Sequence, residues 1–265
     1  MPLSDSVIWI TGASSGIGEA IALELGRTKK IKLVLSARRE NELHRVAAQT
    51  GLPASDVMVL PMDMSDTESL PAHVEAVRQR FGRIDYVFQN AGITQRSSVV
   101  ETDFSVYKRL MDVNFFGVVA LTQAVLSLML AQGSGHFVIT SSVAGKLGTK
   151  QRSGYSASKH ALHGFFDSLR AETYNVGLRV TLVCPGYIRT AISTNALGAH
   201  GQIHGKMDTN QEKGMAADEF ARRLLRAVSQ EKEEVYIGGT EIYGIYLKRF
   251  LPGLLSRVLR DREGA

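Results

Sequence analysis

Three polar side chains in the second half of the chain have the types and the spacing for proton transfer. Tyr155 and Lys159 stand four residues apart, so on a helix their side chains lie on one face. A lysine ammonium beside a phenol favours the phenolate and lowers the phenol pKa from about 10, which would make the tyrosine a useful proton donor or acceptor. Ser142 ends a strand-like run upstream, and a loop could return its hydroxyl to the phenol. A Tyr-x-x-x-Lys pair alone is more often a surface pairing, so this interpretation depends on the rest of the pattern.

A glycine-rich turn near the N-terminus has the composition of a phosphate-binding site. It follows a strand-like segment and opens a helical one, with the sequence Thr11-Gly12-Ala13-Ser14-Ser15-Gly16-Ile17-Gly18. Gly12 permits a tight turn, Gly16 permits close backbone approach, and the helix N-terminus offers N–H groups to a phosphate. The spacing differs from the general G-x-G-x-x-G dinucleotide fingerprint, and a purely structural turn has the same composition.

The end of the second strand-like run bears on which dinucleotide would bind. An NAD-binding sheet normally carries an acid there, which holds the ribose 2′-hydroxyl. This chain has Ala37 in that place, followed by Arg38 and Arg39. Guanidinium groups bind a 2′-phosphate through charge-assisted hydrogen bonds, so these residues favour NADP(H) over NAD(H). The alternative is that both arginines only begin a helix, with Glu40 and Glu42 as their partners.

Alternating elements must position these residues along the chain. Short β-branched runs predict strands and longer amphipathic stretches predict helices, which is typical of a parallel sheet covered by helices on both faces. The predicted strands are Val7–Thr11, Lys32–Ser36, Val57–Leu60, Ile84–Gln89, His136–Ser141, Arg179–Cys184 and Val235–Ile237. The predicted helices cover about 16–27, 40–50, 66–81, 103–131, 156–175 and 216–229. We therefore predict one α/β domain over 1–240, a doubly wound, Rossmann-type parallel sheet of about seven strands, followed by an amphipathic tail over 241–265.

In this order, the motifs resemble those of the short-chain dehydrogenase/reductase family. The matching features are the turn at 11–18, Asn90-Ala91-Gly92, Asn114, Ser142, the Tyr155 and Lys159 pair, and Pro185-Gly186. The resemblance covers residues 7 to about 240. It implies an oxidoreductase that interconverts a carbonyl and a secondary alcohol by hydride transfer with NADP(H).

The resemblance also implies a role for each site residue. Tyr155 would be the general acid in reduction and the base in oxidation, and Lys159 would lower its pKa and bind the nicotinamide ribose. Ser142 would hydrogen-bond the substrate oxygen, and Asn114 would hold a water that links Lys159 to solvent. The implied cofactor contacts are Gly12, Ser14, Ser15, Gly16, Ile17, Gly18, Arg38, Arg39, Asp63, Met64, Asn90, Ala91, Gly92, Tyr155, Lys159, Pro185, Gly186, Ile188 and Thr190. Gln89 stands where many members carry a second Asn, a departure that affects local hydrogen bonding only.

Composition restricts the remaining classes of protein. The 265 residues carry 31 Lys+Arg against 26 Asp+Glu, a formal net charge of +5, and 44% are hydrophobic, so a disordered or fibrous chain is excluded. The single cysteine, Cys184, cannot form an intramolecular disulfide and is predicted to be a buried, inert thiol. The start has no basic leader with a cleavable apolar stretch, and no apolar run reaches about 18 residues. We expect an intracellular, cytoplasmic protein without a spanning helix.

Two C-terminal segments carry no motif. Residues 192–214 are rich in glycine and predict a loop that is either functional or disordered. Because glycine disfavours a helix there, His200 and His204 are not expected to bind a metal. The tail over 241–265 mixes aromatic, leucine and basic residues, as in the steroid-dehydrogenase-like branch of the family, which slightly favours lipophilic substrates. We expect this tail to pack on the domain or on a neighbouring subunit rather than on a membrane.

Two functions of different class stay open. One is the enzyme described above, acting on a small carbonyl or alcohol. The other is a catalytically silent NADP(H)-binding sensor or scaffold of the same fold, whose usual mark is loss of the tyrosine or the lysine; both are present. The basic residues are scattered, so no nucleic-acid partner is expected. The resemblance implies a homodimer or homotetramer, built through the helices that carry Phe115, Phe116, Phe165 and Phe166.

Overall fold

A parallel sheet runs through the centre of the computed structural model, which describes residues 3–28 and 30–261. The strands are β1 (Val7–Thr11), β2 (Lys32–Ser36), β3 (Val57–Val59), β4 (Tyr86–Gln89), β5 (Gly135–Thr140), β6 (Leu178–Pro185) and β7 (Glu234–Ile237). They stand in the order β3-β2-β1-β4-β5-β6-β7, and each neighbouring pair is parallel. The strand order reverses between β1 and β4, which is where a doubly wound sheet opens a crevice at its carboxyl ends. The predicted Rossmann-type fold is confirmed.

Helices cover both faces of this sheet. They are α1 (Gly16–Leu25), α2 (Glu40–Gln49), α3 (Leu70–Phe81), α4 (Phe104–Met111), α5 (Gly117–Gln132), α6 (Ser153–Thr173), α7 (Thr209–Glu212), α8 (Ala217–Ser229), α9 (Tyr243–Phe250) and α10 (Pro252–Asp261). Helices α1, α2 and α8 pack on one face, against Ile8 and Ile10 of β1, while α3, α5 and α6 pack on the other, against Trp9. Successive strand residues point to opposite faces, and both faces are buried, so β1 is apolar throughout.

The long helix predicted over 103–131 is divided into three parts. Between α4 and α5 lies a π-helical turn, Asp112–Phe116, which contains Asn114. Such widened turns occur frequently at functional sites. The whole run Phe104–Gln132 is long and apolar enough, by length and composition, to span a membrane. Here Leu121 and Val125 are fully buried against the sheet, so α5 serves as a core helix.

Two predicted boundaries differ in ways that affect the site. Helix α6 begins at Ser153 rather than near 156, so Tyr155 lies in its first turn. Strand β5 ends at Thr140 rather than at 141, and Ser142 instead caps a short 3-10 turn over Val143–Gly145. The hydroxyl of Ser142 accepts the backbone N–H of Ala144 at 3.1 Å. This capping fixes the direction of the serine side chain.

The glycine-rich segment over 192–214 is ordered by backbone hydrogen bonds to the end of β4. Leu197 accepts from the N–H of Arg96 and donates to the carbonyl of Thr94, both at 2.8 Å. A second parallel bridge joins Ile188 to Met215. The segment therefore forms a fixed wall beside the carboxyl end of the sheet.

The tail helices pack over the loop that follows β5. Ile245 of α9 and Leu255 of α10 are buried in a cluster with Val143 and Leu147. Side chains on the opposite side of these helices, including that of Phe250, are exposed. The last predicted tail residues, 262–265, lie outside the described residues.

Candidate active site

One cavity at the carboxyl end of the sheet contains both groups of residues that the sequence singles out. It has a volume of about 1740 Å³ and extends from the glycine-rich turn to the tail helices. Of the predicted site residues, all line it except Gly18 and Asn114. These two lie behind the wall and support it.

The glycines of the turn are required by close backbone contacts. Gly12 and Gly16 have φ values of +68° and +62°, in the left-handed region that disfavours other residues. A Cβ on Gly12 would lie 2.9 Å from Cα of Ala91, and one on Gly18 would lie 2.2 Å from the carbonyl oxygen of Gly12. The turn therefore folds directly against the end of β4 and into the start of α1.

The start of α1 offers backbone donors to the cavity. Ser15 precedes the helix, but its side chain makes no capping hydrogen bond to the first-turn N–H groups. Gly16 and Ile17 line the cavity at this point. An uncapped helix N-terminus with a positive dipole end suits a phosphate group, so the residues fit a dinucleotide.

Two guanidinium groups stand next to this helix end. Arg38 and Arg39 are exposed at the rim of the cavity, directly after β2. Nη2 of Arg39 donates to the hydroxyls of Ser14 and Ser15 at 3.2 and 3.1 Å. The glycine-rich turn has no basic residue of its own, and Arg39 brings a positive charge to it from the next crossover.

The remaining predicted cofactor contacts are held by local hydrogen bonds. The Thr11 hydroxyl accepts the N–H groups of Asn90 and Ala91, both at 3.1 Å, which fixes the turn after β4. Asp63 accepts both the N–H and the hydroxyl of Ser65. Although partial burial opposes it, this bonding holds the pKa of Asp63 below its usual range.

The Tyr155 hydroxyl lies close to Ser142 at the inner end of the cavity. Burial raises the pKa of the phenol, while a hydrogen bond with Ser142 and the charges of Arg152 and Arg96 act to lower it. The tyrosine side chain packs among Val106, Leu110 and other apolar residues and is only 8% exposed. A substrate oxygen that reaches this phenol would be shielded from bulk water.

Lys159 is buried beside the tyrosine. Its Nζ donates to the carbonyl oxygen of Thr140 at 2.7 Å and lies 6.0 Å from the centre of the Tyr155 ring. Burial lowers the pKa of this lysine to about 8. The sequence predicts that Lys159 lowers the phenol pKa. In this structure its ammonium faces the carbonyl of Thr140 at the end of β5.

Asn114 is fully buried behind the site, with its side-chain amide engaged. Its Oδ1 accepts the N–H of Ile93, and its Nδ2 donates to the carbonyl of Ile93 and to the hydroxyl of Ser158. The side chain thus ties the π-helical turn both to the chain after β4 and to α6. It holds these elements in register around Lys159.

A second polar layer supports Ser142 and Lys159 from behind. The Ser141 hydroxyl donates to the carbonyl of Lys159 at 3.2 Å and lies 2.9 Å from Nε2 of His163. Cys184 is fully buried 3.7 Å from the same nitrogen, and burial raises the pKa of its thiol to about 12. The predicted burial of this cysteine is confirmed.

Several cavity residues are missing from the sequence prediction. They carry no motif and come from distant stretches: Arg96, Arg152, Gln211 and Glu241. Asp208 does not line the cavity but pairs with Arg96 and Arg152. Glu241 accepts the N–H groups of Tyr187 and Gly239 at 2.7 and 2.9 Å, which joins the end of β6 to the tail. Gln211 donates to the carbonyl of Ile188 and to the Thr190 hydroxyl. Their spacing along the chain offers no signal that could have found them.

The fold and this cavity define a Rossmann-type α/β protein with a serine, tyrosine and lysine site at the switch point of its sheet. Comparison with known proteins agrees: the model of the short chain dehydrogenase family matches residues 6–199. The chain belongs to the short-chain dehydrogenase/reductase family and is an oxidoreductase of that family.

Individual relatives extend the match to nearly the whole chain. A Drosophila melanogaster protein described as dehydrogenase/reductase SDR family protein 7-like is 40% identical over 265 residues, 98% of this chain and 81% of that protein. A short-chain dehydrogenase/reductase from Burkholderia phymatum, solved in complex with NAD, superposes with a TM-score of 0.83 at 23% identity, covering 100% of this chain and 98% of that one. A short-chain dehydrogenase from Burkholderia cenocepacia, solved with NADP, gives 0.81 at 21% identity, covering 99% and 100%.

Proposed function

We propose that the protein is an NADP(H)-dependent oxidoreductase that interconverts a carbonyl and a secondary alcohol by hydride transfer. The observation that carries this proposal is that the uncapped N-terminus of α1 and the buried phenol of Tyr155 face one shared cavity. A dinucleotide bound along the carboxyl ends of the strands would reach from one to the other.

The bound nicotinamide supplies the hydride. Tyr155 donates a proton to the carbonyl oxygen in reduction and accepts it from the alcohol in oxidation. Ser142 hydrogen-bonds the same oxygen, and its orientation is already fixed by the Ala144 N–H. Lys159 and Asn114 hold the first turns of α6 in place, and the lysine, with a pKa of about 8, exchanges protons near neutral pH.

The preference for NADP(H) follows from charge at the end of β2. The residue that would bond a ribose 2′-hydroxyl as an acid is replaced by Ala37, and two exposed guanidinium groups follow it. Arg39 already donates to the hydroxyls of Ser14 and Ser15, which supports a positive charge beside the glycine-rich turn for a 2′-phosphate. The structural neighbours named above include one solved with NAD and one solved with NADP, so the choice rests on this chain's own residues.

The substrate end of the cavity favours a lipophilic carbonyl or alcohol. Apolar side chains of the tail line it, among them Leu247, Leu251 and Leu259. Burial of an apolar substrate against them would contribute roughly 25 cal/mol per Å².

We also propose a cytoplasmic homodimer or homotetramer. The phenylalanine side chains at the end of the π-helical turn and on α6 are only partly buried within one chain: Phe166 is fully buried, whereas Phe116 is 51% exposed. Sedimentation of the purified protein and fractionation of cells that express it would test these two statements.

The decisive experiment follows NADPH absorbance with a panel of ketones and aldehydes of increasing apolar size. We expect consumption of NADPH with at least one carbonyl and slower consumption of NADH. A silent sensor would bind NADPH, as measured by its fluorescence, yet consume it with no carbonyl in the panel and form it from NADP⁺ with no alcohol.

A further inference from the structure

Three consecutive residues at the end of β5 contact the groups that carry out the proposed reaction. The carbonyl oxygen of Thr140 accepts Nζ of Lys159 at 2.7 Å, and the Ser141 hydroxyl donates to the carbonyl oxygen of Lys159 at 3.2 Å. Ser142 follows, with its hydroxyl beside the phenol. Lys159 is therefore held at two points, its ammonium and its backbone, by neighbouring residues of one strand end.

The contact between Ser141 and Lys159 is closely packed. The two residues are 2% and 4% exposed. Gly145, in the short turn after Ser142, passes directly beside them. A Cβ on this glycine would lie 3.0 Å from the carbonyl oxygen of Lys159 and would overlap the Ser141 hydroxyl. Because bulk water is kept away from this hydroxyl, the protein groups around it decide where its proton points.

His163, one turn further along α6, gives the Ser141 hydroxyl its second contact. Its Nε2 lies 2.9 Å from the hydroxyl oxygen. A hydroxyl has one proton, and here that proton goes to the carbonyl of Lys159, which can only accept. Nε2 of His163 must therefore carry a proton and donate it to Ser141. Nδ1 is buried without a hydrogen-bond partner among the described residues, and a bare acceptor is less costly to leave unpaired there than an N–H.

His163 is neutral in this arrangement. Burial lowers its pKa to about 4. Two cationic neighbours act in the same direction and two carboxylates act against it, namely Lys146 and His160 on one side and Glu234 and Asp167 on the other. The thiol of Cys184 lies 3.7 Å from Nε2 and, with a pKa of about 12, stays protonated near neutral pH. His163 is thus a fixed, uncharged donor at neutral pH.

We infer that Ser141 and His163 are positioning residues for Lys159: His163 fixes the Ser141 hydroxyl, and the hydroxyl fixes the helix backbone that carries the lysine. This inference rests on the proposed function, because it explains how the ammonium is held beside Tyr155. The pair acts through Lys159 rather than on the substrate. A shift of α6 by about 1 Å would separate Nζ from the Thr140 carbonyl, and misplacements of that size cost about 100-fold in rate.

A matched pair of amide substitutions at position 163 separates hydrogen bonding from volume. The side-chain nitrogen of glutamine reaches the place of Nε2, whereas that of asparagine reaches only the place of Nδ1. In the NADPH assay, His163→Asn is expected to lower kcat by about 10- to 100-fold and His163→Gln to lower it much less. His160→Gln changes an exposed histidine on the same helix and should keep kcat.

Removal of the Ser141 hydroxyl tests whether the two side chains act as one unit. Ser141→Ala should lower kcat about as much as His163→Asn does. The double variant should be no slower than Ser141→Ala alone, because the histidine has no further role once its acceptor is gone. If Ser141→Ala does not fold, as judged by circular dichroism, the comparison of His163→Gln with His163→Asn decides.

The pH profile distinguishes positioning from support of the fold alone. Burial lowers the pKa of Lys159 to about 8, while its bond to the Thr140 carbonyl favours the ammonium; Tyr155 and Cys184 are the titratable groups close to it. An ammonium that loses this bond has a lower pKa. The alkaline limb of the kcat profile should therefore move to lower pH in Ser141→Ala, by about 1 unit. A side chain that only stabilised the fold would lower Tm and leave this limb in place.

Three results would overturn the inference and leave the proposed function intact. One is a Ser141→Ala variant with the kcat and alkaline limb of the wild type. Another is an equal loss of kcat in His163→Gln and His163→Asn. The third is a double variant whose loss is the product of the two single losses, since independent residues would give that result.

A measurement without turnover covers the case in which no panel carbonyl is reduced. The ¹³Cε resonance of Lys159, assigned with the Lys159→Met variant, reports the lysine pKa directly in the NADP⁺-bound protein. We expect a lower pKa in Ser141→Ala than in the wild type, and an unchanged or higher pKa would contradict the inference. Absence of NADPH consumption with every carbonyl would instead count against the proposed function.

Discussion

The two ends of the cavity are built in different ways. The cofactor end consists of backbone: a left-handed glycine turn, the uncapped start of α1 and the carboxyl ends of β1 and β4, all within short stretches of sequence. The substrate end consists of side chains from stretches far apart in sequence, joined by the ion cluster at Asp208 and by the hydrogen bonds of Glu241. A site built from backbone groups depends on a few glycines at fixed spacing. A site built from side chains depends on residues that are distant in sequence and are brought together only by the topology of the fold.

This difference separates what is general from what is particular to the protein. A phosphate is held by any helix end with the right turn before it, so the turn is shared across a family. A substrate is selected by charges and apolar surface that can change residue by residue on the same fold. The phenol of Tyr155 lies where the two ends meet.

Removing that phenol hydroxyl should have the largest effect. Tyr155→Phe is expected to lower kcat by about 100- to 10,000-fold, because it removes the hydroxyl that donates the proton to the carbonyl oxygen. The dissociation constant of NADPH, followed by its fluorescence, should change far less than kcat, since most of the cofactor end is backbone and lies away from the phenol.

Tyr174→Phe is the matched control, as this tyrosine is exposed at the far end of α6. Retention of turnover in Tyr155→Phe would remove the tyrosine from its role. A parallel loss of NADPH binding would show that the two ends are not separable.

The second prediction concerns the stability of the substrate end. Asp208→Asn keeps the shape of the side chain but removes the carboxylate with which Arg96 and Arg152 are paired. We expect the free energy of unfolding at pH 7 to fall by about 3 kcal/mol. Chemical denaturation followed by circular dichroism measures this loss.

The stabilisation by Asp208 should also depend on pH in a definite direction. Burial acts against ionisation, but bonding and charge from Arg96 and Arg152 hold the pKa of Asp208 below its usual range. Its contribution is therefore present above the unfolded value of about 3.9 and is lost as the pH falls through the folded value. In the Asp208→Asn variant, the free energy of unfolding should lack this acid-sensitive contribution. Asp218→Asn removes an exposed partner of Arg222 and should lower the free energy of unfolding far less than Asp208→Asn does. Equal losses in the two variants would contradict the assignment.

The sequence predicts the fold and the cofactor end well, for a physical reason. Strands buried on both faces are largely apolar, as in β1. Gly12 and Gly16 are favoured by their left-handed φ, and Gly18 is required by its close approach to the carbonyl oxygen of Gly12. Such requirements are visible in residue type and spacing. The same holds for Ser142, Tyr155 and Lys159, which two adjacent elements bring together.

The substrate end could not be predicted in the same way. Nothing in the sequence near Arg96 indicates that its partner is Asp208, because the pairing exists only once the segment over 192–214 is laid against the end of β4. The direction of the Lys159 ammonium was also not predictable from i and i+4 spacing. Spacing places both side chains on one face of α6, but the carbonyl of Thr140 decides where the ammonium points.

The third prediction tests cofactor choice at the one part of the cofactor end that does depend on side chains. Arg38→Ala should weaken NADPH binding by about 10- to 100-fold, because a charge-assisted contact with the 2′-phosphate is lost. NADH binding should change little. Titration of the fluorescence of each dinucleotide measures both constants, with Arg78→Ala as the surface control. An equal change for NADPH and NADH would reject the 2′-phosphate assignment.

The smallest predicted effect belongs to Glu241, through which the tail is attached to the end of β6. Glu241→Ala leaves the N–H groups of Tyr187 and Gly239 without their acceptor and opens space beside Gly186, so we expect a loss of about 1–2 kcal/mol. For a domain of this size each kcal/mol lowers Tm by roughly 2–4 °C, which scanning calorimetry resolves. Glu241→Gln retains an oxygen acceptor in the same place and should lose less. If both variants have the same Tm as the wild type while KM for the carbonyl substrate rises, the tail contributes to the substrate end without stabilising the sheet. If instead the Tm of both variants falls equally, the negative charge of Glu241, rather than its acceptor oxygen, attaches the tail to the end of β6.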